Sequence, residues 1–244
     1  MAVDEAMARC RDPDEGTLRI YRWARPSLSF GRNQAVRGLY DPEAFEPLGA
    51  EVVRRATGGR EVLHDRELTY SLVLPLRTPG GLREVYSLVN EALVSALRSL
   101  GVDGAGLARA RGRTPSVDAG ACFREPATGE VEVGGRKLVG SAQVRMGDTL
   151  LQHGSLLLGE PSIRLPSLAA DERGPEDVAD QEGITLQEVL ETPVSFPRVA
   201  AAIEAALAAM VGGEWERSRL RSDEVERAGG LEEKYASREW VWRR

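Results

Sequence analysis

Val131-Glu132-Val133-Gly134-Gly135-Arg136-Lys137-Leu138 alternates apolar and polar residues around a glycine pair, the pattern of a β-hairpin whose tight turn needs positive φ angles. Working outward from it, the sequence predicts further strands over Ser141 to Arg145 and Thr149 to Leu158, separated by Gly147-Asp148. Upstream, strands are expected at Thr17 to Tyr21, Ser27 to Phe30, Glu51 to Arg55 and, as a long apolar run, Leu68 to Leu74. The clearest helix is Leu82 to Leu100, where Val85, Val89, Ala92, Leu93, Ala96 and Leu97 recur at three- and four-residue spacing before Gly101 caps the end. A short helix is expected over residues 2 to 10, a helical turn after Asp41-Pro42, and a helical carboxyl-terminal part that includes Val199 to Met210. Residues 101 to 121 read as a loop, and residues 159 to 183, with three prolines among acidic residues, as a surface excursion. Strands in the middle and helices at the end, with little strict alternation, imply an α+β layer structure with mostly antiparallel pairing. Residues 1–244 are read as a single domain without internal repeats.

The composition narrows the function. A chain of 244 residues with 42% hydrophobic content can bury a sizeable core. It has no long apolar run to cross a membrane, and Asp4 and Glu5 stand where a signal peptide would be basic, so a cytoplasmic protein without membrane association is expected. A formal charge of -6 argues against a nucleic-acid binder. Two distant cysteines, Cys10 and Cys122, do not make a disulfide framework, and Cys10 falls on the first helix as packing. Arg54, Arg55 and Arg60, with Arg109, Arg111 and Arg113, form two short basic clusters that are either solvated ends of elements or a local patch for an acidic partner.

Three segments carry chemistry: Arg54-Arg55-Ala56-Thr57-Gly58-Gly59-Arg60, then Cys122-Phe123, then Gly135 to Gln143. A strand ending in Thr-Gly-Gly lets backbone come close to a ligand, because no Cβ holds it away. The spacing does not match a P-loop. A lone cysteine is more often a small buried hydrophobe than a nucleophile, but Cys122 ends a loop instead of joining a periodic apolar face. Lys137 lies on the nearby hairpin, and a lysine ammonium beside a thiol favours the nucleophilic thiolate.

Taken together, these segments resemble the lipoate-protein ligase and octanoyltransferase family. The resemblance runs through Met1 to Ala6, Ser29-Phe30-Gly31-Arg32-Asn33-Gln34, Arg54 to Asp65, Gly140-Ser141-Ala142-Gln143, Leu151-Gln152-His153-Gly154-Ser155 and Lys234-Tyr235-Ala236, in family order. Cys122-Phe123, and Arg60 in place of a third glycine after Gly58-Gly59, look like the cysteine-dependent octanoyltransferase branch and unlike the ATP-dependent ligases. Thr128-Gly129 before Glu130 departs from the polar or aromatic pair usual in relatives.

The resemblance implies a biotin and lipoyl ligase-like fold, a mixed, largely antiparallel sheet flanked by helices. It implies an acyltransferase of lipoate assembly that needs neither cofactor nor metal. Cys122 would take octanoyl from octanoyl-acyl carrier protein and pass it to a lysine of a lipoyl carrier domain, a glycine-cleavage H protein or a dehydrogenase E2 domain. Lys137 would hold the acyl carbonyl and favour thiolate, with Gly140, Ser141 and Ala142 shaping the same wall. Arg54, Arg55 and Arg60 would form the entrance for the acidic carrier protein. Thr57, Gly58 and Gly59 would bind substrate, and His64 and His153 would either touch it or make structural hydrogen bonds. An ATP-dependent lipoate ligase and a non-catalytic carrier-binding protein of the same fold are the two rival readings.

Overall fold

The computed structural model describes residues 1–12, 14–76, 81–109, 127–170 and 180–244. Chain order runs through helix α1 (Ala2–Cys10) and strands β1 (Thr17–Tyr21), β2 (Ser27–Phe30), β3 (Glu51–Arg54), β4 (Val62–His64) and β5 (Glu67–Pro75) to helix α2 (Gly81–Ser99). Strands β6 (Ala105–Leu107), β7 (Val131–Val133), β8 (Arg136–Met146) and β9 (Thr149–Leu157) follow. Helices α3 (Leu186–Leu190), α4 (Phe196–Val211), α5 (Ser222–Ala236) and α6 (Arg238–Val241) complete the order.

Six strands form one sheet in the order β1-β5-β9-β8-β7-β6, antiparallel throughout. The smaller sheet, β3-β2-β4, contains the parallel pair β2/β3 beside the antiparallel pair β2/β4. Strand β5 is buried nearly end to end because both of its faces are covered. Leu68, Tyr70, Leu72 and Leu74 join the main core with Val89, Leu93 and Leu97 of α2 and Val199, Ile203 and Leu207 of α4. On the opposite face, Val73 and Leu151 pack against Met7 and Ala8 of α1. The small sheet has its own core of Leu28, Phe30, Leu63, Leu165 and Leu168, closed by Val241 from the carboxyl-terminal turn.

The layer class and its antiparallel bias match the reading of the sequence, and four local expectations change. Strand β8 runs unbroken through Gly140, since that residue stays in the ladder opposite Ser155. Ala105–Leu107, expected as loop, is an edge strand held by β7. After Asp41 the chain makes only turns, with Asp41 Oδ1 accepting from Glu43 N at 2.9 Å. Pro47 has no N–H to extend such a turn, and Phe45 is drawn into the small-sheet core. Within the expected surface excursion, Leu165 and Leu168 are fully buried on a 3-10 turn.

Candidate active site

A cavity of about 250 Å³ opens between the centre of the large sheet and the small sheet. Its floor comes from β8 and β9, where Gly140, Ser141 and Ala142 pair with Ser155, Gly154 and His153. Gly154 is essential to that floor, because a Cβ there would lie 2.6 Å from Gly140 O and 2.6 Å from Tyr70 Cε1. Behind it, Tyr70 Oη and Ser141 Oγ are 2.8 Å apart, and Ser141 Oγ donates to Asn90 Oδ1 of α2 at 3.1 Å. Burial raises the Tyr70 phenol to about 12, so it acts here as a neutral hydrogen-bonding group.

Lys137 stands at one end of the floor, 1% exposed. Its Nζ donates to Glu130 Oε1 at 2.7 Å, and both side chains line the cavity. Glu130 Oε2 accepts from Ala127 N at 2.7 Å. Cys122, the expected nucleophile, lies outside the described residues, as do Phe123, Arg111 and Arg113.

The opposite wall is the loop between β3 and β4 together with β4 itself. Arg55, Gly59, Arg60, Val62 and His64 all line the cavity. The buried Arg55 guanidinium donates to Ser29 O and Ser29 Oγ, both at 2.7 Å, and to Arg60 O at 2.7 Å, so it holds the loop in shape. Gly31 is pressed so closely against this loop that a Cβ on it would fall 1.7 Å from Gly59 O. The close approach permitted by glycine is here between two stretches of the chain. Gly58 is exposed, with nothing within 4 Å of where a Cβ would be.

Arg54 corrects one expectation. The sequence places it in a basic entrance, but it is fully buried, away from the cavity lining, and donates to Val241 O, Gly31 O and Gln34 O. Burial, reinforced by Arg243, Arg244 and Arg55, lowers its guanidinium to about 10. Its work is to pin the carboxyl-terminal turn to β3. Among the described residues, the cationic side chains that line the cavity are Arg55, Arg60 and Lys137.

Both histidines reach the cavity; His64 commits both ring nitrogens to the wall and His153 commits Nε2. His64 Nδ1 lies 2.7 Å from Glu67 Oε1, and its Nε2 lies 2.6 Å from Ser29 Oγ. Trp23 stacks on the ring at 4.2 Å. His153 Nε2 meets Thr57 Oγ1 at 2.6 Å, while Nδ1 faces Asp4 Oδ2 across 3.9 Å, too far for a direct hydrogen bond. Burial lowers the His153 pKa against the opposing pull of Asp4, which leaves the ring neutral at neutral pH. Thr57 therefore stands behind the lining and orients a residue in it.

Several lining residues carry no signal of their own in the sequence. Tyr21, Val62 and Thr69 come from separate strands and meet only through tertiary pairing. The pairing Glu130–Lys137 spans seven positions around the hairpin turn, so the acidic residue at the start of that hairpin was its only available cue.

Solved structures of lipoate-protein ligases share this architecture. A T. acidophilum structure with bound lipoic acid has a TM-score of 0.77 at 23% identity, covering 99% of this chain and 92% of its own. A lipoate-protein ligase A bound with ATP has a TM-score of 0.75 at 24% identity, covering 99% and 92%. At such identity these likenesses define the fold alone. Residues 1–208 match the family model of the lipoyl protein ligase A/B catalytic domain, and the chain belongs to that family. Among curated relatives, octanoyltransferase LipM of Kyrpidia tusciae is 40% identical over all of this chain and 94% of its own length. The LipM of Carboxydothermus hydrogenoformans is 36% identical over 100% and 93%.

Proposed function

We propose that this chain is an octanoyltransferase of lipoate assembly, one catalytic domain over residues 1–244, working through a Cys122 thioester. The observation that carries the reading is the cavity itself, which has glycine-rich strands for a floor and the buried Lys137–Glu130 pair at one end. Its roughly 250 Å³ falls just below the usual range of about 300–1,000 Å³ for small-molecule sites and suits a short acyl chain.

In the first step the Cys122 thiolate attacks the thioester carbonyl of octanoyl-acyl carrier protein. A new C–S bond forms, the old one breaks, and the carrier leaves as a thiolate. This exchange of one thioester for another is near energetic balance and consumes no ATP. In the second step the lysine amine of a lipoyl carrier domain attacks the Cys122 thioester. The C–N bond forms, the bond to Cys122 breaks, and the amine proton passes to the departing sulfur. Lys137 holds the acyl carbonyl and favours thiolate. Gly140, Ser141, Ala142, Gly59, His64 and His153 enclose the chain, and Arg55 and Arg60 border it. Thr57 and Gly58 support the loop.

Intact-protein mass after mixing with octanoyl-acyl carrier protein, without nucleotide, tests the reading. A gain of one octanoyl group, lost on adding a lipoyl carrier domain and abolished in Cys122→Ala, is the expected result. Full transfer by Cys122→Ala, or transfer only when ATP is supplied, would overturn it.

A further inference from the structure

Glu130 has both carboxylate oxygens in use. Oε1 receives the Lys137 ammonium at 2.7 Å, and Oε2 receives the N–H of Ala127 at 2.7 Å. Its own backbone closes the same turn, with Glu130 N donating to Ala127 O at 3.0 Å and Ala108 N donating to Glu130 O at 2.8 Å. Ala127 is five residues beyond Cys122 in sequence, and the carboxylate ties it to the lysine on β8. Asn90 steadies this corner from α2, its Nδ2 donating to Gly129 O at 2.9 Å while its Oδ1 receives Ser141. Lys137 and Glu130 are 1% and 4% exposed. Taking an ammonium out of water is costly unless an opposite charge and hydrogen bonds face it.

We propose that Glu130 is a positioning residue for transfer: its carboxylate holds the Lys137 ammonium in place at the cavity while anchoring the turn at Ala127. The proposal rests on the reading of Cys122 as nucleophile. With Glu130 in place, the Lys137 ammonium is held at the end of the cavity floor. Without it, the lysine loses that hold, and the thiol loses its help. Glu130 therefore acts on Cys122 only through Lys137, which sets apart a positioning role from a merely structural one.

The test is the pH profile of Cys122 alkylation by iodoacetamide, read by intact mass in a Cys10→Ala background. Lys137→Met should move the profile to higher pH, and Glu130→Gln should move it in the same direction, with alkylation at neutral pH slowed about tenfold for every pH unit the profile moves. In the double variant Glu130→Gln/Lys137→Met, the profile should match Lys137→Met alone, because two residues acting through one cation are not additive. Glu130→Asp, which restores a carboxylate on a shorter arm, should recover part of the rate. A Glu130→Gln profile equal to the parent's, a move to lower pH, or additive effects in the double variant would each overturn the proposal, as would an unchanged profile in Lys137→Met. Circular dichroism of each variant shows whether it is folded. Failure of the underlying reading looks different, since it appears as octanoyl transfer by Cys122→Ala, whatever the alkylation profiles show.

Discussion

His153 shows how a single buried side chain couples this site to pH. Its folded pKa is lowered by burial, so between that value and the ordinary 6.5 the unfolded chain binds a proton that the folded chain refuses. Stability carried by the neutral ring is complete above about 6.5 and declines as the pH falls through that window. Thermal unfolding from about pH 7.5 to about 5.5 should thus show a loss of stability that is smaller in His153→Asn, which cannot titrate there. Equal slopes for the two proteins would mean that the ring ionises freely in the folded state. At the same scale, Cys122→Ala should fold normally and lose transfer almost completely. Cys10→Ala should keep activity, because Cys10 is half-buried on α1 and its thiol makes only a weak contact to Asp223 O at 3.7 Å.

Between elements, glycines and buried carboxylates do the joining. Gly154 lets β9 lie flat against β8 beneath Tyr70, with no room for a methyl group between Gly140 O and the phenol ring. Gly154→Ala should cost about 1–3 kcal/mol from overpacking and close the cavity floor, so urea unfolding and octanoyl loading should suffer together. Gly58→Ala, with open space around it, should leave both nearly unchanged. If Gly154→Ala loaded at the parental rate, the acyl chain could not lie over that floor. Helix α1 is fastened in another way: Glu5 accepts from Lys234 Nζ at 2.7 Å and Tyr235 Oη at 2.6 Å of α5, across more than 200 residues of chain. That contact holds Glu5 out of solvent, and the neighbouring Asp4 is buried against Arg19, whose Nη1 donates to Asp4 Oδ1 at 2.9 Å.

Over the whole molecule, an acidic chain carries local groups of arginines. Arg60 borders the cavity, while Arg32, Arg37 and Arg243 gather where the carboxyl-terminal turn meets the loop after β2. Two acidic proteins repel unless such a patch reverses the field where they dock, and attraction through solvent is screened over about 8 Å at physiological ionic strength. Loading from acyl carrier protein should therefore slow as salt rises, whereas loading from a small uncharged octanoyl thioester should change little. Charge reversal at Arg60 should weaken only the former, and identical salt dependence for the two donors would remove these arginines from docking. Among the described residues, no helix is long and apolar enough to cross a membrane.

What the sequence determined by itself was most of the elements and the family. Alternation and helical periodicity are local properties, so β1, β2, β5, β7, β9 and α2 could be read from their own residues, and ordered motifs such as Arg54 to Arg60 and Gly140 to Gln143 identified the kinship. Only the tertiary structure decided which polar groups meet. Thr57 and His153 are 96 positions apart, Ser29 and His64 are 35, and nothing in either local pattern names the other as partner. The same holds for Arg54: as one arginine in a basic run it looks like surface, but pairing of β3 with β2 and closure of the carboxyl-terminal turn surround it with carbonyl oxygens. Burial and hydrogen-bond partnership depend on contacts between distant stretches of chain, and those exist only once the chain has folded.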